Sequence, residues 1–172
     1  ALLYAQALLR HISYDNYTNL EHPVQQVILK MVSEMLDVTP GSIEIGIDGC
    51  SVPTYAVPLR KAAFGYARLA DPSALSAERA AACRRIFKAM SSNPEIVAGQ
   101  GRFDTSLMNI AGGAIVAKAG AEGFQALGLR PGTLGPGSPG VGIAFKIADG
   151  DPNSRARPIV AMEILYQMGA LS

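Results

Sequence analysis

Helical spacing of apolar residues dominates the chain, and strand-like apolar runs are fewer and shorter. Apolar positions recur with a helical period in residues 1–12, 24–36, about 57–70, 71–93, 104–108 and 154–170. Alternating or continuous apolar runs predict strands at residues 43–47, 114–118 and 141–147. A tract rich in Gly and Pro predicts a loop over residues 127–140. Helices and strands do not alternate as in βαβ units, so the pattern predicts an α+β fold with an antiparallel sheet packed between helical layers.

Prolines and polar residues mark where the predicted helices begin. Pro23 suits the first position of the second helix and Pro58 the first turn of the third, because neither position needs an N–H donor. Asp104 is placed to cap a short helix that runs through Met108. The first segment is periodic from its first residue, without a Ser, Thr, Asp or Asn to cap it. We therefore expect native sequence upstream of Ala1.

The composition favours one domain spanning residues 1–172. Hydrophobic residues make up 49% of the chain and charged residues 17%, against roughly 25% charged in an average soluble domain. The formal net charge is +1, and no long run of Lys or Arg offers a site for nucleic acid or an anionic membrane surface. Every apolar run is shorter than the roughly 18 residues of a membrane span. We expect neither nucleic acid nor a membrane as partner.

The two cysteines stand in different sequence contexts. Cys50 lies in a Gly/Pro turn, and Cys83 lies in an Ala/Arg-rich helix. This arrangement does not favour a structural disulfide, and it predicts a reducing compartment, the cytoplasm.

Two common kinds of site are disfavoured by the sequence. Residues 135–140, GPGSPG, match the spacing of a dinucleotide-binding loop, but their prolines remove N–H groups and a strand follows where that loop requires a helix. The histidines, His11 and His22, flank the first polar connector, where a surface or helix-end position is expected. Catalysis or metal binding based on histidine is therefore not expected.

Lys118 is the remaining candidate base. It stands in "IVAKAGAEG", between a strand of small apolar residues and a turn. A lysine that is partly desolvated there can act as a base or activate a hydroxyl. The alternative is a lysine at a strand end that reaches into solvent. A Lys-x-Gly pattern on a strand also lines the active site of serine β-lactamases, although this chain contains no Ser-x-x-Lys.

Three roles are open to Cys50: nucleophile, metal ligand, or small buried residue. As a ligand it would present a thiolate, with Asp48 as acceptor or orienting group. As a structural residue it would be buried, and Asp48 would hold the turn through its side chain. The sequence around it has no companion Cys or His at metal-site spacing, so local reasoning favours the buried thiol.

The sequence leaves alternative roles open for three further charged residues, Arg102, Asp104 and Glu122. Arg102 and Asp104 can pair with each other or with carboxylates of a site, and a cap or salt bridge is favoured. Glu122 can contact a substrate amine or cap the turn that follows it.

Six segments occur in the order seen in one enzyme family. They are HPVQQVIL, IDGCSVPTYAVPL, VAGQGRFDTSLM, VAKAGAEGF, GIAFKIADGD and RARPIVAMEIL. In this order they resemble the C-terminal half of L-asparaginase II of the rhizobial type. The resemblance implies a fold similar to serine β-lactamases and glutaminases, incomplete without upstream sequence, and hydrolysis of L-asparagine by paired Ser and Lys residues.

The resemblance also implies roles for particular residues. Lys118 would be the catalytic partner of a serine in the N-terminal half, and Gly120 and Glu122 would form the substrate-binding turn. Cys50 would be one zinc ligand, with two other ligands upstream of Ala1, and its neighbour Asp48 would be a catalytic residue together with Lys118. Family members commonly carry Gly-Ala after this cysteine, whereas this chain has Ser51-Val52.

Two hypotheses follow. The first is an asparagine amidohydrolase, expected to be a homodimer, whose nucleophilic serine lies in the N-terminal half, so that this chain alone is inactive. The second is a non-catalytic or repurposed relative that acts on another amide or serves as an assembly subunit, which the high apolar content also allows.

Overall fold

The computed structural model describes residues 2–171, with only the backbone described for Leu2. The prediction that the first helix has no capping residue before Ala1 concerns a position outside these residues. The chain divides into two compact units, Ala1–Lys61 and Ala62–Ser172.

The first unit opens with two helices. Helix α1 spans Leu2–Leu9 and α2 spans Pro23–Leu36, followed by a 3-10 turn at Pro40–Ser42. Pro23 is the first residue of α2, as predicted, and the ring nitrogen Nδ1 of His22 accepts a hydrogen bond of 3.2 Å from the N–H of Val24. His22 is therefore a helix cap, which agrees with the helix-end role expected for it.

A two-stranded antiparallel hairpin follows. Strand β1 spans Glu44–Ile47 and β2 spans Pro53–Ala56. The sequence predicted β1 and its turn, but β2 was not predicted, because its first residue, Pro53, was assigned to the turn and Pro58 to the start of a helix. In a two-stranded sheet each strand is an edge, where proline is tolerated. Helix α3, Leu59–Ala70, begins two residues later than expected from Val57 and crosses the division between the units.

The second unit contains most of the helices. Helix α4 spans Ala77–Ser92, α5 Pro94–Ala98, α6 Phe103–Ile110 and α7 Ala156–Gln167. The short helix α5 was not predicted, although Pro94 stands at its first position, where proline is common. The predicted cap of α6 is wrong: Arg102 holds the N-cap position, and Asp104 lies inside the first turn.

Three antiparallel strands form the second sheet. They are β3 Ile115–Ala119, β4 Phe124–Leu129 and β5 Val141–Lys146, in the order β3-β4-β5. The sequence missed β4 and placed residues 127–129 in a loop because Gly128 interrupts the apolar run. Gly128 lies opposite Gly142 in the register, and a Cβ at Gly142 would lie 1.8 Å from the carbonyl oxygen of Ala63 on α3. These glycines are strand residues that let α3 approach the sheet closely.

The core of the second unit combines the sheet with its helices. Its buried members are Ala70, Phe87, Leu107, Met108, Ile115, Val116, Ala117, Leu127, Leu129, Ala161 and Leu165. Helix α7 buries only part of its apolar side chains. Ala161 and Leu165 are buried, whereas the exposed fractions of Ile159 and Met162 are 69% and 42%. The α+β class is confirmed, with two small antiparallel sheets in place of one.

Candidate active site

A cavity of about 680 Å³ lies in the second unit. The end of β3, the β3–β4 turn, the start of α6 and the loop before α7 surround it. Its lining residues with charged or hydroxyl side chains are Arg102, Asp104, Lys118, Glu122, Asp151, Ser154 and Arg157. A concave site with a few convergent polar groups is typical of small-molecule binding.

The β3–β4 turn forms one wall of this cavity. The N–H of Gly120 donates to the carbonyl of Phe124 at 2.9 Å, which closes the hairpin. Gly123 has a φ of +72°, and a Cβ there would lie 2.9 Å from Cβ of Ile147, so the position requires glycine. Glu122 is exposed, and its carboxylate lies 3.5 Å from the ammonium of Lys146. Gly120 and Glu122 thus line the cavity, and their role in substrate binding stays a prediction.

Lys118 lies at the rim of the cavity, near the end of β3. Its side chain is exposed, which agrees with the alternative of a lysine at a strand end that reaches into solvent. Its Nζ donates to the carbonyl oxygen of Ala119 at 2.5 Å. This contact keeps the exposed side chain beside its own strand, at the cavity.

Asp104 lines the cavity and has an exposed fraction of 2%. Its Oδ2 accepts a hydrogen bond of 2.5 Å from the N–H of Ala119, and its Oδ1 accepts one of 3.1 Å from Nε2 of Gln125. The pairing with Arg102 is not formed. The partner of Asp104 is Arg157, whose Nη1 lies 3.7 Å from Oδ1.

Arg157 connects this carboxylate to α7. Its Nη1 also donates to Oε1 of Gln125, so Asp104, Gln125 and Arg157 form a closed triangle of contacts. The backbone N–H of Arg157 donates to Oδ2 of Asp151 at 2.9 Å, and Asp151 accepts two further N–H groups from the start of α7. These three backbone hydrogen bonds, with that of Arg157 the largest contribution, hold the pKa of Asp151 below its usual value.

The charge of Asp104 also affects Tyr66 on α3. Burial raises the pKa of its phenol to about 12, and the negative charge of Asp104 adds to the increase. The phenol therefore stays protonated at neutral pH.

Asp48 and Cys50 lie together in the β1–β2 turn of the first unit. Oδ1 of Asp48 accepts hydrogen bonds from the N–H groups of Cys50, at 2.8 Å, and Val52, at 3.1 Å. The expectation that Asp48 holds the turn is confirmed. The expectation that Cys50 is buried is wrong, because its thiol belongs to an exposed residue of the turn.

The zinc implied by the family resemblance can be tested against the donors of this hairpin. Within residues 2–171, no three His, Cys, Asp or Glu side chains come together as a group that could hold a metal ion. A structural zinc site requires four ligands and a catalytic one three. The described residues therefore do not fit a zinc ion by themselves, since Cys50 offers a single thiol.

Sequence reasoning missed Gln125 and Arg157. Gln125 is fully buried, and its signal was a lone amide in the apolar run FQALGL. Arg157 precedes a proline at the start of a helix, after the acidic stretch ADGD, which indicates a capped helix N-terminus. Neither signal identifies Asp104 as the common partner, which only the packing of α6, β4 and α7 determines.

The fold and cavity define an α+β protein whose second unit has a polar site of small-molecule size. The L-asparaginase II family matches the chain over residues 1–172, and the chain belongs to that family. Membership indicates a hydrolase of the asparaginase type. A search of curated proteins returns no match to the chain. None of the helices in residues 2–171 is long and apolar enough to cross a membrane.

Proposed function

We propose that the protein is an amidohydrolase that converts L-asparagine to L-aspartate and ammonia, with the substrate bound in the cavity of the second unit. The family match over residues 1–172 carries this proposal. The cavity supports it, because it is large enough for an amino acid and holds both signs of charge, which a zwitterionic substrate requires.

In this proposal Lys118 is the base and a serine is the nucleophile. The family resemblance assigns that serine to sequence before Ala1. The hydroxyl oxygen attacks the amide carbon while its proton passes to the neutral amine of Lys118. Lys118 then returns this proton to the amide nitrogen as the C–N bond breaks, and ammonia leaves. Water hydrolyses the resulting acyl-enzyme to aspartate. Gly120 leaves the wall beside Lys118 without a side chain, and the exposed carboxylate of Glu122 binds the substrate ammonium.

Asp48 and Cys50, in the β1–β2 turn, have a separate role in this proposal. Cys50 would bind zinc with ligands supplied from outside residues 1–172, and Asp48 would orient it by fixing the turn. Their exposed position and the two hydrogen bonds to Asp48 support this role. A homodimer in the cytoplasm remains our prediction for the whole protein.

Ammonia release from L-asparagine by the full-length protein tests the catalytic assignment. We expect Lys118→Ala to lower kcat by about 100-fold or more, the usual contribution of a positioned base. Lys88→Ala is the matched control, because Lys88 is an exposed lysine on α4 that does not line the cavity. Equal activity of the Lys118 variant and the control would exclude Lys118 as the base.

Ser154 gives a second control, because it lines the cavity and is a serine of this chain. If the nucleophile lies upstream, Ser154→Ala retains activity and mass spectrometry finds the trapped acyl group on a peptide that precedes Ala1. Loss of activity together with an acyl group on Ser154 would overturn the assignment. Binding of asparagine by calorimetry without turnover would favour the non-catalytic alternative.

A further inference from the structure

We propose that Asp104 is a positioning residue for Lys118. The buried carboxylate fixes the peptide unit between Lys118 and Ala119, and with it the point from which the lysine side chain enters the cavity. This inference rests on the proposed function of Lys118, and it assigns a role to a residue that does not itself react with the substrate.

The first argument is the position of Ala119 in the sheet. Strand β3 is at the edge of the sheet β3-β4-β5. Edge strands carry N–H groups without a strand partner. Here Oδ2 of Asp104 accepts the N–H of Ala119 at 2.5 Å, while the next N–H, that of Gly120, donates to Phe124 on β4 at 2.9 Å. The N–H of Ala119 is thus held by α6, and the N–H of Gly120 is held by β4.

The second argument is the lysine itself. The N–H that Asp104 accepts belongs to the peptide that joins Lys118 to Ala119, and Nζ of Lys118 donates to the carbonyl of Ala119 at 2.5 Å. A displacement of Ala119 would therefore move both ends of the lysine side chain. A shift of about 1 Å in a catalytic group can cost on the order of 100-fold in rate.

The third argument is that both carboxylate oxygens of Asp104 have partners within the fold. Gln125 and Arg157 contact its Oδ1, Arg157 also bonds to Gln125, and the backbone of Arg157 is fixed by Asp151. Buried networks of this kind hold a unique geometry when their members are satisfied. Because both oxygens of Asp104 have partners, the carboxylate acts through Ala119 and not on the substrate.

Two double variants of the full-length protein separate this role from fold stability. Both carry Arg157→Met, which removes the charge that would otherwise be left unpaired in the core. One also carries Asp104→Leu and the other Asp104→Asn. Leu and Asn are close in shape to Asp, but only Asn retains an oxygen that can accept the Ala119 N–H. Met108→Ala is a stability control, because Met108 is buried on the same helix and does not line the cavity.

Relative to the Asn variant on the same Arg157→Met background, we expect the Leu variant to lose about 10-fold or more in kcat, with KM unchanged and with faster amide hydrogen exchange at Ala119. The Asn variant should keep the protection of Ala119. Met108→Ala should lower the unfolding temperature and leave kcat and exchange at Ala119 as in the wild type. Equal kcat in the Leu and Asn variants, or unchanged protection of Ala119 in the Leu variant, would overturn the proposal.

A readout that needs no turnover distinguishes this inference from the proposed function. The NMR signal of the Lys118 side chain should shift in the Leu variant and not in the Asn variant. If the wild type does not hydrolyse asparagine, the proposed function fails, and exchange at Ala119 together with the Lys118 signal still decides the positioning role. An unshifted Lys118 signal in both variants would overturn it.

Discussion

Two aspartates, one in each compact unit, hold backbone N–H groups in different ways. Asp48 accepts hydrogen bonds from Cys50 and Val52, two and four residues along its own exposed turn. Asp104 accepts its backbone hydrogen bond from Ala119, 15 residues away, and its side chain is buried against Arg157. The same carboxylate stabilises a local turn in one unit and joins α6, β3 and α7 in the other.

The difference lies in what surrounds each charge. The turn that contains Asp48 is exposed to water, which screens the carboxylate and offers it alternative hydrogen bonds. Asp104 has given up that solvation, so its partners must replace it. We therefore expect substitutions around Asp104 to have larger effects than substitutions in the hairpin.

The largest effect should come from removing the partner of Asp104. We expect Arg157→Met to lower the free energy of unfolding by about 3 kcal/mol or more, because a buried carboxylate is left without its cation. Urea unfolding measures this loss, with Lys88→Met as an exposed control. A loss no greater than that of the control would mean that the pair does not stabilise the second unit.

A smaller effect is expected at Asp151, and it should depend on pH. Its pKa is held below the usual value of 3.8 by the backbone N–H of Arg157 and those of the two residues before it. The ionised form is therefore favoured in the folded state, and its contribution to stability is fully present above pH 3.8 and lost as the pH falls through the lowered pKa.

Unfolding free energies of the wild type and Asp151→Asn, measured from neutral pH to below pH 3.8, test this sign. The wild type should lose stability more steeply than the variant on acidification. Parallel curves would show that Asp151 is not linked to folding through its charge.

In the hairpin, Asp48→Ala should lower stability by only about 1 kcal/mol, the net value of exposed hydrogen bonds to a turn. The same urea titrations measure it beside Arg157→Met. If Asp48→Ala costs as much as Arg157→Met, the contrast between a local and a buried carboxylate does not hold.

The smallest effect on stability is expected for Cys50→Ser, which exchanges one exposed side chain for another. Its effect should appear in thiol chemistry instead. Cys83 is buried, and burial raises the pKa of its thiol, so a thiol reagent should modify Cys50 first. The variant should lack this fast phase and, if Cys50 binds zinc, show a lower zinc content by elemental analysis. Fast thiol modification that persists in Cys50→Ser would show that Cys50 is not the more reactive of the two cysteines.

Much of the fold follows from local sequence. The helical period, Pro23 at the start of α2, and the apolar runs of β1, β3 and β5 each predicted elements of the structure. Strands β2 and β4 were not predicted, because the residues that interrupt them are a proline at a sheet edge and a glycine beneath α3. The proline is tolerated because β2 is an edge strand, and the glycine allows the close approach of α3. Local sequence reveals neither circumstance.

For the candidate site, the turn of Asp48 could be predicted, because both hydrogen-bond partners of its carboxylate lie within four residues. The role of Lys118 came from the Lys-x-Gly pattern and stays a prediction. The exposure of Cys50 could not be predicted, since burial depends on what packs over a turn. Sequence alone determined the helical period and the hairpin turn. Tertiary structure decided that Asp104, Gln125 and Arg157 meet, because a buried charge takes its partners from elements that are distant along the chain.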